Sequence, residues 1–279
     1  MLLCHTPVSL SAKVTEISTF DSVYEFRRNV RIGAQLVGTF IKLPVLESVD
    51  LAASAGFDFV AIDLEHSQIG FEDASALVRH AFSMRLPALV RIPEVDAPLI
   101  NKLLEVGAAG VQLSSLRSTS AVVQLIAACR YSPGGQRSVS GAQPSARYGA
   151  YPLADYLDAE SSDPPLIIGQ IESATTDDPL AAIFAAGLDL AFIGPTDLSV
   201  DLGAPGRIDD SRVAARIGEI AAAAAKAAVR FGGFSGGIEG WTALKALGAS
   251  YFVVGSDLQS LQSGLATLAV HTFNDQSKL

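Results

Sequence analysis

Charged side chains with catalytic potential follow several short apolar segments of this 279-residue sequence. His66 follows one such segment, Arg91 stands near the end of the next, and Glu172 and Asp197 follow two later ones. Two carboxylates, completed by water and substrate, suit a hard divalent cation. A histidine can transfer a proton near neutral pH. Together these residue types indicate metal-assisted acid–base chemistry.

Each of these residues also has a simpler explanation. A carboxylate after a strand is often the N-cap of the next helix, which would account for Glu172 or Asp197. His66 could be an ordinary surface histidine, and Arg91 could pair with a carboxylate at the same rim. The combination of two carboxylates, a histidine and an arginine is harder to explain by structural roles alone.

The segments that precede these residues alternate with amphipathic stretches, a pattern typical of repeated βα units. We predict strands over residues 37–41, 59–64, 88–92, 110–114, 166–171, 190–194, 231–235 and 251–255. The helical patterns cover residues 47–55, 71–83, 97–106, 120–129 and 211–230. Eight such units predict a single (β/α)8 TIM barrel, in which strand carboxyl ends carry the active site. The structural rival, a doubly wound sheet, would need fewer strands, and no Gly-x-Gly-x-x-Gly turn follows the first one.

The barrel pattern begins near residue 33. We therefore expect residues 1–32 to form an arm or short helix outside the core, and residues 33–279 to form the catalytic domain. Residues 130–163 predict a long connection between the fourth and fifth strands, of the kind that is usually functional or mobile.

Composition narrows the class of protein. A net charge of −9 argues against a nucleic-acid partner, and 49% hydrophobic residues provide for a large core. No uninterrupted apolar run predicts a membrane span, and the first ten residues do not read as a secretory signal. Two cysteines, Cys4 and Cys129, are too few for a disulfide framework or a thiolate metal site. We expect a cytoplasmic enzyme.

Four strings carry a specific resemblance: Phe-Val-Ala-Ile-Asp-Leu-Glu-His, Leu-Val-Arg, Gln-Ile-Glu-Ser and Phe-Ile-Gly-Pro-Thr-Asp-Leu-Ser. In order and spacing, from about Gly38 to Asp257, they resemble the HpcH/HpaI aldolase family. This family includes class II pyruvate aldolases such as 4-hydroxy-2-oxoheptanedioate and 2-dehydro-3-deoxyglucarate aldolases. The resemblance implies a phosphoenolpyruvate/pyruvate-type TIM barrel with an exchanged C-terminal helix.

The resemblance also implies roles for individual residues. Glu172 and Asp197 would bind Mg2+, Mn2+ or Co2+, on which a 2-oxo acid such as pyruvate or oxaloacetate chelates. Arg91 would stabilise the enolate, and His66 would be the acid/base for reaction with an aldehyde, acting through a water on the metal. The expected substrate-binding residues are Gln170, Gly194, Pro195, Thr196 and Ser199.

A further catalytic residue is implied at Glu105, where the family usually has aspartate. In the family this acid reaches the histidine from a neighbouring subunit, and members assemble as homohexamers, trimers of dimers. In the loop 130–138, Ser138 replaces the usual glycine, and Ser114-Ser115 stand where a proline is common. These departures concern the acceptor aldehyde rather than the core reaction.

Several alternatives remain open at this stage. The same enolate could arise from oxaloacetate decarboxylation or condense with a keto acid, as in a citrate synthase. Glycines and serines at residues 235–237 and 255–256 are compatible with a phosphate-binding isomerase or synthase. Lys42 raises a Schiff-base aldolase, and a non-catalytic scaffold barrel is a further possibility.

Overall fold

The computed structural model describes residues 19–276, which form a closed barrel of eight parallel strands paired in chain order. The strands are β1 Leu36–Ile41, β2 Phe59–Asp63, β3 Ala88–Ile92, β4 Gly110–Leu113, β5 Leu166–Ile171, β6 Leu190–Ile193, β7 Arg230–Ser235 and β8 Tyr251–Ser256. Each begins and ends within one residue of its predicted bounds, and the predicted TIM barrel is confirmed.

Helices surround this barrel and connect its strands. They are α1 Thr19–Ile32, α2 Leu46–Ala55, α3 Phe71–Ser83, α4 Ala97–Glu105, α5 Thr119–Cys129, α6 Leu153–Ser162, α7 Leu180–Ala185, α8 Pro195–Asp201, α9 Ser211–Lys226, α10 Ile238–Ala246 and α11 Asp257–Gln276. Side chains cap the N-termini of α4, α5 and α9. The side-chain oxygens of Asp96, Ser118 and Asp210 accept hydrogen bonds from the backbone N–H groups of Leu99, Ala121 and Arg212, respectively. Within residues 19–276, no helix is both long and apolar enough to cross a membrane.

The inside of the barrel is filled by large side chains. Phe59 stacks on Tyr251 with ring centroids 4.5 Å apart, and both are almost fully buried. A Cβ atom at Gly38 would lie 2.4 Å from the Phe59 ring, so glycine is required where β1 passes this aromatic layer. The filled interior makes the barrel a packed core and leaves its carboxyl end for a site.

Helix α1 closes the other end of the barrel. Its residues Val23, Phe26 and Val30 are buried in the interior cluster, and the Phe26 ring centroid lies 5.3 Å from that of Phe59. The expectation that this segment lies outside the core is therefore wrong for residues 19–32. Residues 1–18 lie outside the described residues, and the domain boundary at residue 33 stays a prediction.

Two further predictions on secondary structure need correction. The connection 130–163 contains a 3-10 segment, Pro144–Gly149, and helix α6, whose Tyr156 and Glu160 are buried. Helix α9 ends at Lys226 rather than residue 230. Ala228 has a φ of 56°, which turns the chain towards β7, and no glycine or proline marks this stop in the sequence.

Candidate active site

A cavity of about 530 Å³ opens where the strands end. It brings together seven of the ten predicted site residues: His66, Arg91, Gln170, Gly194, Pro195, Thr196 and Asp197. Phe40, Phe192 and Phe234 supply its apolar lining. Residues far apart in sequence thus meet in one concave space, as the barrel topology predicts.

Arg91 is the most strongly held charged side chain of this cavity. Its Nε donates to Asp63 Oδ1 at 2.9 Å, its Nη2 donates to Asp63 Oδ2 at 2.6 Å, and its guanidinium carbon lies 4.2 Å from the Phe40 ring centroid. Asp63 and Arg91 are register partners on β2 and β3. A bidentate ion pair on an aromatic face fixes the guanidinium before any substrate arrives.

Asp63 also shapes the turn that carries His66. Its Oδ1 accepts the backbone N–H groups of Glu65 at 3.0 Å and His66 at 3.2 Å. Burial alone would raise the pKa of this carboxyl, but the hydrogen bond and charge of Arg91, the His66 amide and Lys42 outweigh it and lower the pKa to about 2. Asp63 is thus a permanent anion that joins two candidate catalytic residues.

Glu65 lies between the Arg91 and His66 side chains. Its Oε2 is 3.4 Å from Arg91 Nη1 and 3.6 Å from His66 Nε2. The Arg91 contact is an ion pair, and this buried oxygen has no hydrogen-bond partner among the described residues. The His66 side chain is half exposed and lines the cavity, which leaves its ring accessible to a substrate.

Glu172 is held rigidly below the cavity rim. Its Oε1 accepts the amide and the hydroxyl of Ser115, both at 2.7 Å, and its Oε2 accepts from Gln170 Nε2. Ser115 adopts a positive φ of 48°, which is uncommon for a residue with a side chain. Burial raises the pKa of Glu172, partly offset by these donors. Since burial still raises its pKa despite three donors, this carboxylate would be stabilised further by a cation nearby.

The space over Glu172 is kept open by Gly194. A Cβ atom there would lie only 2.4 Å from Glu172 Oε2. Asp197 follows in the first turn of α8, exposed and lining the cavity. Two carboxylate donors beside open space fit a hard cation whose remaining ligands are water and substrate oxygens. Within residues 19–276, no group of three or more acidic, histidine or cysteine side chains could hold a metal alone.

Gln170 lines the cavity, but its amide is largely engaged by protein. Its Oε1 accepts from Gln112 Nε2 at 2.6 Å, and its Nε2 donates to Glu172. The side chain therefore orients the Glu172 carboxylate from the barrel interior. This placement suits a positioning role better than the direct substrate contact that the sequence suggested.

Comparison with known proteins shows the family to which this chain belongs. The family model described as HpcH/HpaI aldolase/citrate lyase matches residues 36–263. The chain belongs to this family. It is 30% identical over 247 residues to a hydroxypyruvate/pyruvate aldolase of Agrobacterium fabrum (strain C58 / ATCC 33970), covering 88% of this chain and 91% of that protein.

Solved structures of other proteins share the architecture of this chain. An HpcH/HpaI aldolase from Desulfitobacterium hafniense DCB-2 superposes with a TM-score of 0.81 at 28% identity, covering 88% of this chain and 95% of that one. The citrate synthase SbnG superposes with a TM-score of 0.79 at 25% identity, covering 91% and 98%. The resemblance stated from the sequence motifs is thereby confirmed.

Ser199 departs from the role that the HpcH/HpaI resemblance implied. It is fully buried, its hydroxyl donates to the Thr196 carbonyl at 2.6 Å, and it accepts from the Gly206 amide at 3.0 Å. The side chain therefore ties α8 to the following loop and does not line the cavity. The prediction that Ser199 binds substrate does not fit this placement.

Glu105 lies in a different cavity, of about 710 Å³, together with Asn101, Arg137 and Ser138. Burial raises the pKa of its carboxyl, against the opposing effects of Arg137 and Asn101. His66 lines the cavity at the strand ends, so the two side chains lie in different cavities of the same chain. A pairing with His66 requires a second chain and stays a prediction. Ser138 does not line the cavity at the strand ends.

Two alternatives from the sequence lose support. Residues 235–236 line an apolar cavity, whereas residues 255–256 line the one at the strand ends, so the two loops contribute to different cavities. Lys42 Nζ lies 3.2 Å from Asp63 Oδ2. This ion pair holds the Lys42 nitrogen beside a carboxylate rather than in the desolvated apolar pocket that activates a Schiff-base lysine.

Sequence reasoning missed the roles of Asp63, Glu65 and Ser115. Asp63 and Glu65 stand inside the Asp-Leu-Glu-His motif, so the signal was present, but their partners lie on other strands. Ser115 was noted only as a departure after β4, and nothing local indicates that it donates twice to Glu172.

Proposed function

We propose that the protein is a class II aldolase, a carbon–carbon lyase that cleaves or forms 4-hydroxy-2-oxo acids through a pyruvate enolate and an aldehyde. The observation that carries this proposal is the cavity lined by a fixed Arg91 and by Asp197, with the Glu172 carboxylate against Gly194 beneath it. The family match and the aldolase relative support the same chemistry.

Glu172 and Asp197 are the residues that would hold the divalent metal, Mg2+, Mn2+ or Co2+. When bound, such a cation acts as a Lewis acid on the carboxylate and carbonyl oxygens of the 2-oxo acid. The backbone N–H groups of Thr196 and Asp197, at the start of α8 where it lines the cavity, would hold the substrate carboxylate. The ligand atoms are carboxylate oxygens, which these hard cations prefer; a soft cation would prefer thiolate sulfur.

Arg91 would donate to the 2-oxo oxygen of pyruvate. As the methyl group loses a proton, negative charge moves onto this oxygen, and a preorganised guanidinium stabilises it most at that stage. The Asp63 pair and the Phe40 ring hold the group in place, so little reorganisation is needed during reaction.

His66 would move the protons of the reaction. In the synthetic direction a proton leaves the pyruvate methyl carbon, that carbon bonds to the aldehyde carbonyl carbon, and the aldehyde oxygen takes up a proton. Cleavage reverses these events. The half-exposed His66 ring beside Glu65 is placed to accept and return such a proton.

The site is proposed to be completed by a second copy of the chain in a homohexamer. Leu258, Leu261, Leu265 and Leu268 form an exposed apolar stripe along α11. Monomeric proteins seldom expose such stripes, which mark interaction surfaces. Glu105 of a neighbouring copy would then pair with His66.

Condensation with a keto acid is the second candidate function. It rests on the similarity of the whole barrel to the citrate synthase SbnG. The enolate step is common to both reactions, so the two differ only in the acceptor. A panel of aldehydes and 2-oxo acids as acceptors for pyruvate separates them.

Proton–deuterium exchange at the pyruvate methyl group in 2H2O tests the shared step. We expect exchange with Mg2+, Mn2+ or Co2+, loss of exchange in EDTA, and a loss of at least roughly 100-fold in Glu172→Gln. Glu219→Gln is the matched control, because Glu219 is 62% exposed on α9. Exchange without metal, or exchange retained by Glu172→Gln, would overturn the proposal.

A further inference from the structure

Lys42 is a cation of the cavity that the proposed enolate chemistry does not use. It follows β1, and its ammonium group lines the cavity together with Arg91. Its backbone is fixed, since the Lys42 amide donates to Asp257 Oδ1 at 2.9 Å and the Leu43 amide donates to Oδ2 at 3.0 Å. The side chain is 22% exposed, so it is neither a buried structural group nor a freely solvated one.

Lys42 and Arg91 share one carboxylate and one aromatic ring. Lys42 Nζ lies 3.2 Å from Asp63 Oδ2 and 5.9 Å from the Phe40 ring centroid. Arg91 contacts the same oxygen and the same ring more closely. Glu65 Oε2 lies 3.4 Å from Arg91 Nη1 as a second anion, so Arg91 contacts two carboxylates and Lys42 contacts one.

Asp63 does not need Lys42 as a partner. Its two oxygens already accept two N–H groups from Arg91 and the backbone N–H groups of Glu65 and His66. The pair also occupies only part of the hydrogen-bonding capacity of Lys42, because an ammonium group has three N–H donors. Donors that remain on a cation lining a cavity are available to an anionic ligand.

An anionic ligand of Lys42 must belong to the second substrate, the acceptor. In the proposed function, on which this inference rests, the pyruvate carboxylate is held near Gly194 and its 2-oxo oxygen by Arg91. Lys42 lies instead at the β1 and β8 side of the lining, with Ser256 and Gln259 as polar neighbours. A neutral aldehyde would offer no anionic partner to the Lys42 N–H donors that Asp63 does not occupy.

We propose that Lys42 binds a carboxylate group of the acceptor. The preferred acceptors are then carbonyl acids, such as an aldehyde acid or a second 2-oxo acid, and the aldol product carries two carboxylates. A charged hydrogen bond to the substrate is lost entirely with an uncharged analogue, which makes it a strong determinant of specificity.

Matched acceptor pairs test this assignment. Glyoxylate is compared with glycolaldehyde, and succinate semialdehyde with pentanal, each pair having a similar length and differing in charge. The readout is the ratio of kcat/KM for the anionic acceptor to that for the neutral one within the same variant. Any general loss of enolate formation affects both terms and cancels in this ratio.

For Lys42→Met we expect the ratio to fall roughly 10- to 100-fold, with partial recovery in Lys42→Arg. Lys226→Met is the control that removes one exposed lysine, at the end of α9, and should leave the ratio unchanged. Thermal denaturation of each variant verifies that it is folded.

Two outcomes would overturn the inference. An equal loss of kcat/KM for anionic and neutral acceptors in Lys42→Met would mean that Lys42 acts only through Asp63 and Arg91. An unchanged ratio in both acceptor pairs would mean that the ammonium group does not contact the acceptor. Failure of the proposed function is recognised separately, as absence of metal-dependent pyruvate exchange in the unaltered protein.

Discussion

Asp63 is the residue on which the geometry of the candidate site depends. It holds Arg91 by two hydrogen bonds, fixes the turn before His66 by two more, and pairs with Lys42. A single buried anion thus sets the positions of the group that would stabilise the enolate and the group that would transfer the proton. Such a supporting residue affects catalysis without contacting the substrate.

We expect Asp63→Asn to destabilise the protein by about 2 kcal/mol at neutral pH, because the variant lacks the anion that pairs with buried Arg91. The pKa of Asp63 is lowered to about 2 from its ordinary value of 3.8. A lowered pKa contributes stability above the unfolded-state value, and this contribution is lost as the pH falls from about 4 towards 2. The unfolding free energies of both proteins by denaturant titration between pH 7 and pH 3 provide the measurement.

The control for this prediction is Asp177→Asn, whose carboxylate is 61% exposed and pairs with exposed Arg117. Its effect should remain below about 1 kcal/mol. If Asp63→Asn cost the same free energy at pH 7 and at pH 3, the carboxylate charge would not be the source of the stabilisation.

Residue types at the site could be predicted from sequence more readily than residue partners. The motifs gave His66, Arg91, Glu172 and Asp197 as candidates, and three of these line the cavity while Glu172 lies beneath it. The partner of Arg91 depends on the register of β2 against β3, which aligns residues 28 positions apart. No local pattern encodes that register.

At the scale of elements, helix α1 is part of the barrel rather than an appendage. Its Arg27 is buried and donates to the Ala109 carbonyl at 2.9 Å, to Glu160 at 2.9 Å and to the Asp163 carbonyl at 2.7 Å. Arg137 donates to the other Glu160 oxygen at 3.2 Å. Burial would raise the pKa of Glu160, but the two arginines lower it. This network joins α1, β4 and α6.

We expect Arg27→Met to lower the free energy of unfolding by about 3–5 kcal/mol, because Glu160 would lose one of its two cations while remaining buried. Arg28→Met, at the next and exposed position of the same helix, is the matched control and should change stability by less than about 0.5 kcal/mol. Chemical denaturation followed by circular dichroism measures both. Equal effects of the two substitutions would contradict a structural role for the network.

At the scale of the whole molecule, the apolar stripe on α11 lies next to a second apolar surface. A cavity of about 510 Å³ beside the start of this helix is lined by Val45, Leu51, Phe57 and Leu261, among others. Leu51 is 69% exposed and Leu268 is 66% exposed. Burial of these side chains against a second copy would remove a large apolar area from water.

We expect the double substitution Leu265→Glu, Leu268→Glu to convert the proposed hexamer into smaller species, because charges cannot be buried in an apolar interface without a large cost. Size-exclusion chromatography with light scattering gives the mass. Pyruvate exchange should fall in parallel, since His66 would lose the Glu105 supplied by a neighbouring copy. Ser263→Glu, on the opposite side of α11, should keep the native mass, and an unchanged mass in the double variant would refute the interface.

The sequence by itself determined the barrel, the bounds of its strands and the four residues to which we assign chemical roles in the proposed function. These follow from local patterns, because the periodicity of apolar residues and short motifs at strand ends are properties of neighbouring positions. Tertiary structure alone decided that Asp63 holds Arg91 and that Lys42 lines the cavity. It also decided that the Ser199 hydroxyl contacts the loop after α8 and that α1 packs into the barrel. Each of these depends on strand register and on packing between segments distant in the chain, and such contacts leave no local signature in the sequence.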